Sequence, residues 1–219
     1  MAYVVITGAN RGIGYELAKQ LSESGETVVA VVRSASEALN DLDIEVITDV
    51  DVCDDDLSAL SEAMGNRPVK LLINNAGLLN RTTLESLDVQ SIRQQFEVNT
   101  LGPLKITHCL LDNLSAGSKV AHITSRMGSV ADNGSGSHYG YRMSKAAMNM
   151  ATKSMALDLA QREIAVCALH PGYVRTRMTG NAGYINADEA ATGLIQRIKE
   201  LNLSNSGRFW HQNGEELPW

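Results

Sequence analysis

Six short β-branched runs, Tyr3–Ile6, Thr27–Val32, Ile44–Ile47, Val69–Ile73, Val120–Ile123 and Ile164–Leu169, alternate with longer stretches of helical period. Strands that are apolar on both sides must be covered on both faces, which is the property of a parallel sheet with helical crossovers. The spacing predicts helices over Gly12–Ser24, Asp55–Met64, Val89–Leu114, Tyr139–Arg162 and Asp188–Leu201. Right-handed crossovers through those helices give a doubly wound α/β fold. No Gly/Ser or Pro run divides the 219 residues, so one domain spanning 1–219 is expected.

Composition narrows the function classes. Hydrophobic residues make up 44% and charged residues 20%, which is globular and not the low-hydrophobicity, high-charge regime of disorder. The net charge of −6 opposes non-specific attraction to nucleic acid or anionic lipid. Cys53, Cys109 and Cys167 lack the paired spacing of disulfide frameworks or zinc sites, and the five histidines show no ligand spacing. Reduced thiols, no metal, no membrane span and a cytoplasmic location are therefore expected.

In a sheet of this kind, ligands bind beyond the carboxyl ends of the strands, so the loops there carry the chemistry. The first strand runs into Thr7-Gly8-Ala9-Asn10-Arg11-Gly12-Ile13-Gly14 and then directly into a helical pattern. Glycines at this place permit a tight turn and close helix packing, and the helix N-terminus offers free N–H groups to a pyrophosphate. Gly8, Asn10, Arg11, Gly12, Ile13 and Gly14 are the expected dinucleotide cradle. At the end of the second strand, where NAD-binding domains carry a carboxylate for the ribose hydroxyls, this chain has Arg33. A guanidinium there suits a 2'-phosphate, with Arg11 as a second positive group, so NADP(H) is the expected cofactor. A solvated strand-end arginine is the plain alternative. Asp51 and Val52 fit an adenine amine and ring, although Asp51 also suits a helix cap. Asn75, Ala76 and Gly77 fit close passage of a ribose and a tie between neighbouring strands, or an ordinary turn.

Tyr141 and Lys145 stand four apart on a predicted helix and therefore share one face. An ammonium ~4 Å from the phenol at an effective dielectric of ~20 contributes ~4 kcal/mol, enough to pull the phenol well below its ordinary value near 10. Such a tyrosine exchanges protons with a carbonyl or alcohol oxygen. Ser125 closes the strand before it and can hold the reacting oxygen, with Ser129 as a rival twelve positions before Tyr141. Asn99 lies in mid-helix, where its propensity is poor. Local bonding that bends the helix and holds a water behind Lys145 accounts for it, and so does an exposed amide.

The glycine turn, Asn74-Asn75-Ala76-Gly77, Asn99, Ser125, Tyr141-Arg142-Met143-Ser144-Lys145 and Pro171-Gly172 stand in the order seen in short-chain dehydrogenases/reductases. The chain resembles that family over nearly its whole length. It is most similar to C-factor and sniffer-type carbonyl reductases through Tyr139 to Asn149, Gly207-Arg208-Phe209-Trp210 and Leu217-Pro218-Trp219. The resemblance implies a Rossmann fold of about seven parallel strands with helices on both faces. It implies a catalytic tetrad of Asn99, Ser125, Tyr141 and Lys145, with Pro171, Gly172, Val174 and Thr176 at the nicotinamide end. A homodimer through the two long helices is also implied. The stretch Arg177–Ala187 is short for such a protein and implies an open site, with Met127, Met178 and Tyr184 as candidate lining. The expected activity is NADPH-dependent reduction of an aldehyde or ketone. A dinucleotide-sensing signalling protein and an alcohol dehydrogenase running the same chemistry backwards are the rivals.

Overall fold

The computed structural model describes residues 1–219. Seven parallel strands form one sheet: β1 (Tyr3–Thr7), β2 (Thr27–Val31), β3 (Glu45–Ile47), β4 (Val69–Asn74), β5 (Leu114–Ile123), β6 (Ala165–His170) and β7 (Phe209–His211). Their order is β3-β2-β1-β4-β5-β6-β7, so the chain winds outward first one way from β1 and then the other from β4. This is the doubly wound Rossmann arrangement. The helices are α1 (Gly12–Glu23), α2 (Glu37–Asn40), α3 (Ser58–Met64), α4 (Val89–Phe96), α5 (Gly102–Cys109), α6 (Tyr139–Asp158) and α7 (Ala187–Glu200).

Alternation along the strands feeds two apolar layers of near-equal size, 21 and 19 buried residues. Val4, Ile6, Ala30, Ile73 and Leu169 face one layer with Leu17 and Leu21 of α1 and Leu194 and Ile198 of α7. Val5, Val29, Leu72, Val120 and Val166 face the other with Leu60 of α3, Ile106 of α5 and Met148 and Met155 of α6. A strand sealed on both sides has no polar face, and for that reason the apolar runs were legible as buried strands. No helix is long and apolar enough to cross a membrane.

Three expected boundaries are corrected. The helix expected over Val89–Leu114 is broken into α4, a π turn over Glu97–Leu101 and α5. Pro103 has no N–H for the carbonyl of Asn99 four residues back, and the wider turn lies where that ladder fails. β5 begins at Leu114 instead of Val120: Leu114 pairs with Val69 and Lys119 with Leu71 of β4, with an irregular register between them. β7 was not read as a strand at all, since three residues, Phe209-Trp210-His211, give no period.

Two imidazoles lie inside this fold. His122 of β5 is fully buried, with Nδ1 3.3 Å from Asn74 Nδ2, and burial pushes its pKa down to about 3. His170 at the end of β6 is likewise pushed down to about 3, first by burial and then by His211 and Arg126. Both are folded as neutral rings, while the unfolded chain takes up their protons at about 6.5. Their stabilisation is therefore complete above pH ~6.5 and is lost as pH falls toward 3, each ring costing up to about 1.4 kcal/mol per pH unit. Urea midpoints measured from pH 7 to pH 5 should fall steeply, and His122→Asn should flatten that slope. An unchanged slope in the variant would remove His122 from the account.

Candidate active site

The direction of winding reverses between β1 and β4, and a cleft of about 710 Å³ opens there at the carboxyl ends of the strands. Gly8, Asn10, Arg11, Gly12, Ile13, Gly14, Val31, Val32 and Arg33 line one end, with Asp51 and Val52 beside them. Asn75, Ala76, Gly77, Tyr141, Lys145, Pro171 and Thr176 line the rest, so most of the residues singled out in the sequence meet in one place.

The glycine turn is shaped by its neighbours. Gly8 has φ +66°, and a Cβ on it would lie 2.9 Å from the Cα of Ala76. A Cβ on Gly14 would collide with the Asn75 amide and the Gly8 carbonyl. Asn75 fills that corner: its Nδ2 donates to the Thr7 and Gly8 carbonyls at 3.0 and 3.1 Å. In return, Thr7 Oγ1 accepts from the N–H groups of Asn75 and Ala76 at 3.1 and 3.2 Å. The ends of β1 and β4 are thereby locked together, as the tie read from the Asn-Ala-Gly segment requires. α1 starts without a side-chain cap, so its first N–H groups face the cleft free for an anion. The cradle fits a dinucleotide pyrophosphate on these grounds.

At the far end, Arg33 Nη1 lies 3.6 Å from Asp51 Oδ2, and the arginine side chain is 73% exposed. Asp51 is itself fixed by the Cys53 N–H, which donates to Oδ1 at 3.0 Å. An ion pair this open contributes little and leaves the guanidinium available to a stronger anion.

Tyr141 and Lys145 sit one turn apart on α6 and are 7% and 4% exposed. Lys145 Nζ donates to the Ile123 carbonyl at 2.8 Å and lies 5.8 Å from the Tyr141 ring centre. Burial pushes the Lys145 ammonium down to about 8. The expectation of an acidified phenol is corrected: burial drives Tyr141 up to about 12, and only a hydrogen bond with Ser125 pulls the other way. The ammonium is turned to a backbone carbonyl and does not offset the loss of water around the phenol.

Ser125 ends the segment after β5, 6% exposed, and its Oγ also accepts from the Met127 N–H at 3.1 Å. Ser129 is turned elsewhere, its Oγ accepting from the Asp132 N–H at 3.1 Å. Asn99 is fully buried and does not line the cleft. Its carboxamide accepts from the Leu78 N–H at 2.8 Å and donates to the Leu78 carbonyl at 2.8 Å and to Ser144 Oγ at 3.0 Å. The side chain thus pins the loop after β4 to α6, inside the π turn, and is neither an exposed amide nor a cleft-lining group. Gly172 and Val174 also stand back from the lining. Of the residues guessed for the substrate side, Met178 lines the cleft, whereas Met127 and Tyr184 do not. Asn80, Gln94 and Arg177 line it too. No local signal marks Gln94 of α4 or Arg177, because each reaches the cleft only through packing of distant segments.

The short chain dehydrogenase family model matches residues 2–185, and the chain belongs to that family of oxidoreductases, whose members bind a nicotinamide dinucleotide. The chain is 39% identical to 1-hydroxy-2-glutathionyl-2-methyl-3-butene dehydrogenase of Rhodococcus sp. (strain AD45), over 100% of both chains. It is 44% identical to C-signal of Myxococcus xanthus over 69% of this chain and 93% of that one. A carbonyl reductase from Pseudomonas aeruginosa PAO1 in complex with NADP superimposes with a TM-score of 0.87 and 30% identity, covering 100% of both chains.

The Asn75 lock is open to a direct measurement. Asn75→Ala removes the side-chain donor from two part-buried carbonyls, which costs up to about 1–3 kcal/mol each. Thermal unfolding should show a clearly lowered Tm together with weakened dinucleotide binding, and a Tm within error of the parent would show that the lock is dispensable.

Proposed function

We propose that this oxidoreductase is an NADPH-dependent carbonyl reductase in which Tyr141 gives a proton to the oxygen of an aldehyde or ketone. The observation that supports this reading is the buried Tyr141 phenol on the wall of the cleft, with Ser125 beside it and Lys145 one turn further along α6. A phenol held at about 12 keeps its proton throughout the physiological range, which is the state a donor needs. Lys145, at about 8, is mostly cationic at neutral pH, with its ammonium on the Ile123 carbonyl, 5.8 Å from the phenol ring centre. The Ser125 hydroxyl can then donate to the oxygen on which charge develops. A bound NADPH supplies the hydride.

The name of the Rhodococcus relative describes oxidation, for which the same tyrosine must act as a base. A phenol pushed up to about 12 is protonated at pH 7, the form that gives a proton in reduction. The likeness to C-signal is compatible with a signalling role, but dinucleotide sensing alone does not require a phenol and a lysine gathered in the cleft with a serine beside the phenol. Asn99 enters as a positioning residue through Leu78 and Ser144. Leu104, Met150 and Leu157, exposed on α5 and α6, support a homodimer across those helices, and three free thiols support a cytoplasmic setting.

NADP(H) is favoured by Arg33 on the cleft wall, and the NADP complex of the Pseudomonas reductase supports that choice. Charge-assisted bonds to a phosphate contribute about 1.5–3 kcal/mol, so Arg33→Ala should weaken NADPH binding roughly ten- to a hundredfold and leave NADH nearly unchanged. Fluorescence titration of both cofactors decides it; equal losses would assign Arg33 to something other than the 2'-phosphate.

Tyr141→Phe should lower NADPH-dependent reduction of an aldehyde panel ~10²–10⁴-fold with NADPH affinity retained. In the parent, kcat/KM should fall above pH ~8, where Lys145 loses its proton, and not at lower pH. Full activity in the variant would end the proton-donor assignment.

A further inference from the structure

The segment from Arg208 to Trp219 takes no part in the cleft, yet it grips both loops that bracket Tyr141. It folds back as a hairpin: the His211 N–H donates to the Glu215 carbonyl at 2.8 Å and the Leu217 N–H to the Phe209 carbonyl at 2.8 Å. Phe209 and Leu217 are 0% and 4% exposed, and Trp219 stacks on Phe209 with ring centres 5.4 Å apart. The hairpin is therefore rooted in the core and can act as a fixed support.

Its first grip is on the loop that starts at Ser125 and enters α6 just before Tyr141. Arg126 Nη2 donates to Glu215 Oε1 at 2.9 Å. Arg126 Nε lies 2.9 Å from Asp132 Oδ2, a charge contact whose N–H does not point along the pair. One guanidinium thus joins the residue next to Ser125, the far side of the same loop and the hairpin. A second tether runs from the Ala131 N–H to the Trp219 oxygen at 3.2 Å.

The other grip is on the loop after β6. The Gln212 N–H donates to the His170 carbonyl at 2.9 Å, and the His211 ring packs edge-on against His170 at 5.1 Å. Gly172 follows after Pro171, and a Cβ there would lie 3.4 Å from His211 Nε2. None of these contacts reaches Gly8–Gly14, Arg33 or Asp51, the dinucleotide half of the cleft.

We propose that the 208–219 hairpin is a positioning device for the carbonyl side of the cleft, with Glu215 holding Arg126 and so fixing the turn that follows Ser125. The proposal rests on the carbonyl-reductase reading for its kinetic consequence, but not for its mechanical one. Glu215 and Arg126 do not line the cleft and act through Ser125.

The test compares Glu215→Gln and Glu215→Asp in the full chain. Steady-state reduction of 4-nitrobenzaldehyde should show KM raised about threefold or more in Glu215→Gln, as the loss of one half-exposed ion pair allows. NADPH affinity and Tm should stay at the parent's values, and Glu215→Asp should recover most of the loss. Hydrogen exchange of the amides from 126 to 134 should be faster in Glu215→Gln than in the parent. An unchanged KM with unchanged loop exchange overturns the proposal, as does an NADPH affinity that falls in step with the aldehyde KM. If the parent reduces no carbonyl, the functional reading fails, and loop exchange alone then decides the positioning role, unchanged exchange refuting it.

Discussion

The corner where β1 and β4 end is the point on which the cleft depends. Chain direction reverses there, so two strands that are neighbours in the sheet send their connections to opposite faces and leave a gap beyond their carboxyl ends. A gap of this kind exposes backbone groups that the sheet ladder no longer serves. Asn75 and Thr7 resolve it by exchanging side-chain bonds with each other's backbone, at 3.0 to 3.2 Å. That exchange fixes how near α1 can come, which makes Gly14 a packing requirement and delivers an uncapped helix N-terminus to the cleft wall.

Burial decides the chemistry at the other end. Removing water raises the proton affinity of the phenol and lowers that of the ammonium, so Tyr141 and Lys145 move toward their neutral forms together, at about 12 and about 8. The two shifts suit a proton donor with a cation in reserve. They also differ from the picture of a lysine acidifying a tyrosine, which treats the pair as charges in a uniform medium. The ammonium gives its hydrogen bond to the Ile123 carbonyl at 2.8 Å and not to the phenol.

Legibility in the sequence followed the range of the interaction. Strands sealed on both faces and helices such as α1 and α6 announce themselves by period, and the glycine turn by residue type, because these are patterns within a few positions, even though the contacts that require Gly8 and Gly14 come from Ala76 and Asn75. The break at Asn99 was legible as an anomaly, a poor helix former in mid-helix, but the partner that explains it, Leu78, lies 21 positions away. Ser125 and Ser129 could not be separated by spacing; the direction of each hydroxyl separates them, one toward Tyr141 and the other toward the Asp132 N–H. β7 and the first half of β5 left no pattern, because β7 is only three residues long and β5 pairs irregularly between Leu114 and Lys119.

By itself the sequence determined the parallel sheet, its helical crossovers, and the residue types that meet at its carboxyl edge. These follow from local period and composition, which the chain carries wherever it goes. Tertiary structure alone decided which of those residues face the cleft, that Asn99 serves a loop instead of the cavity, and that the phenol is a strong holder of its proton. The physical reason is that desolvation and hydrogen-bond direction depend on every surrounding element at once, and no window of residues contains that sum.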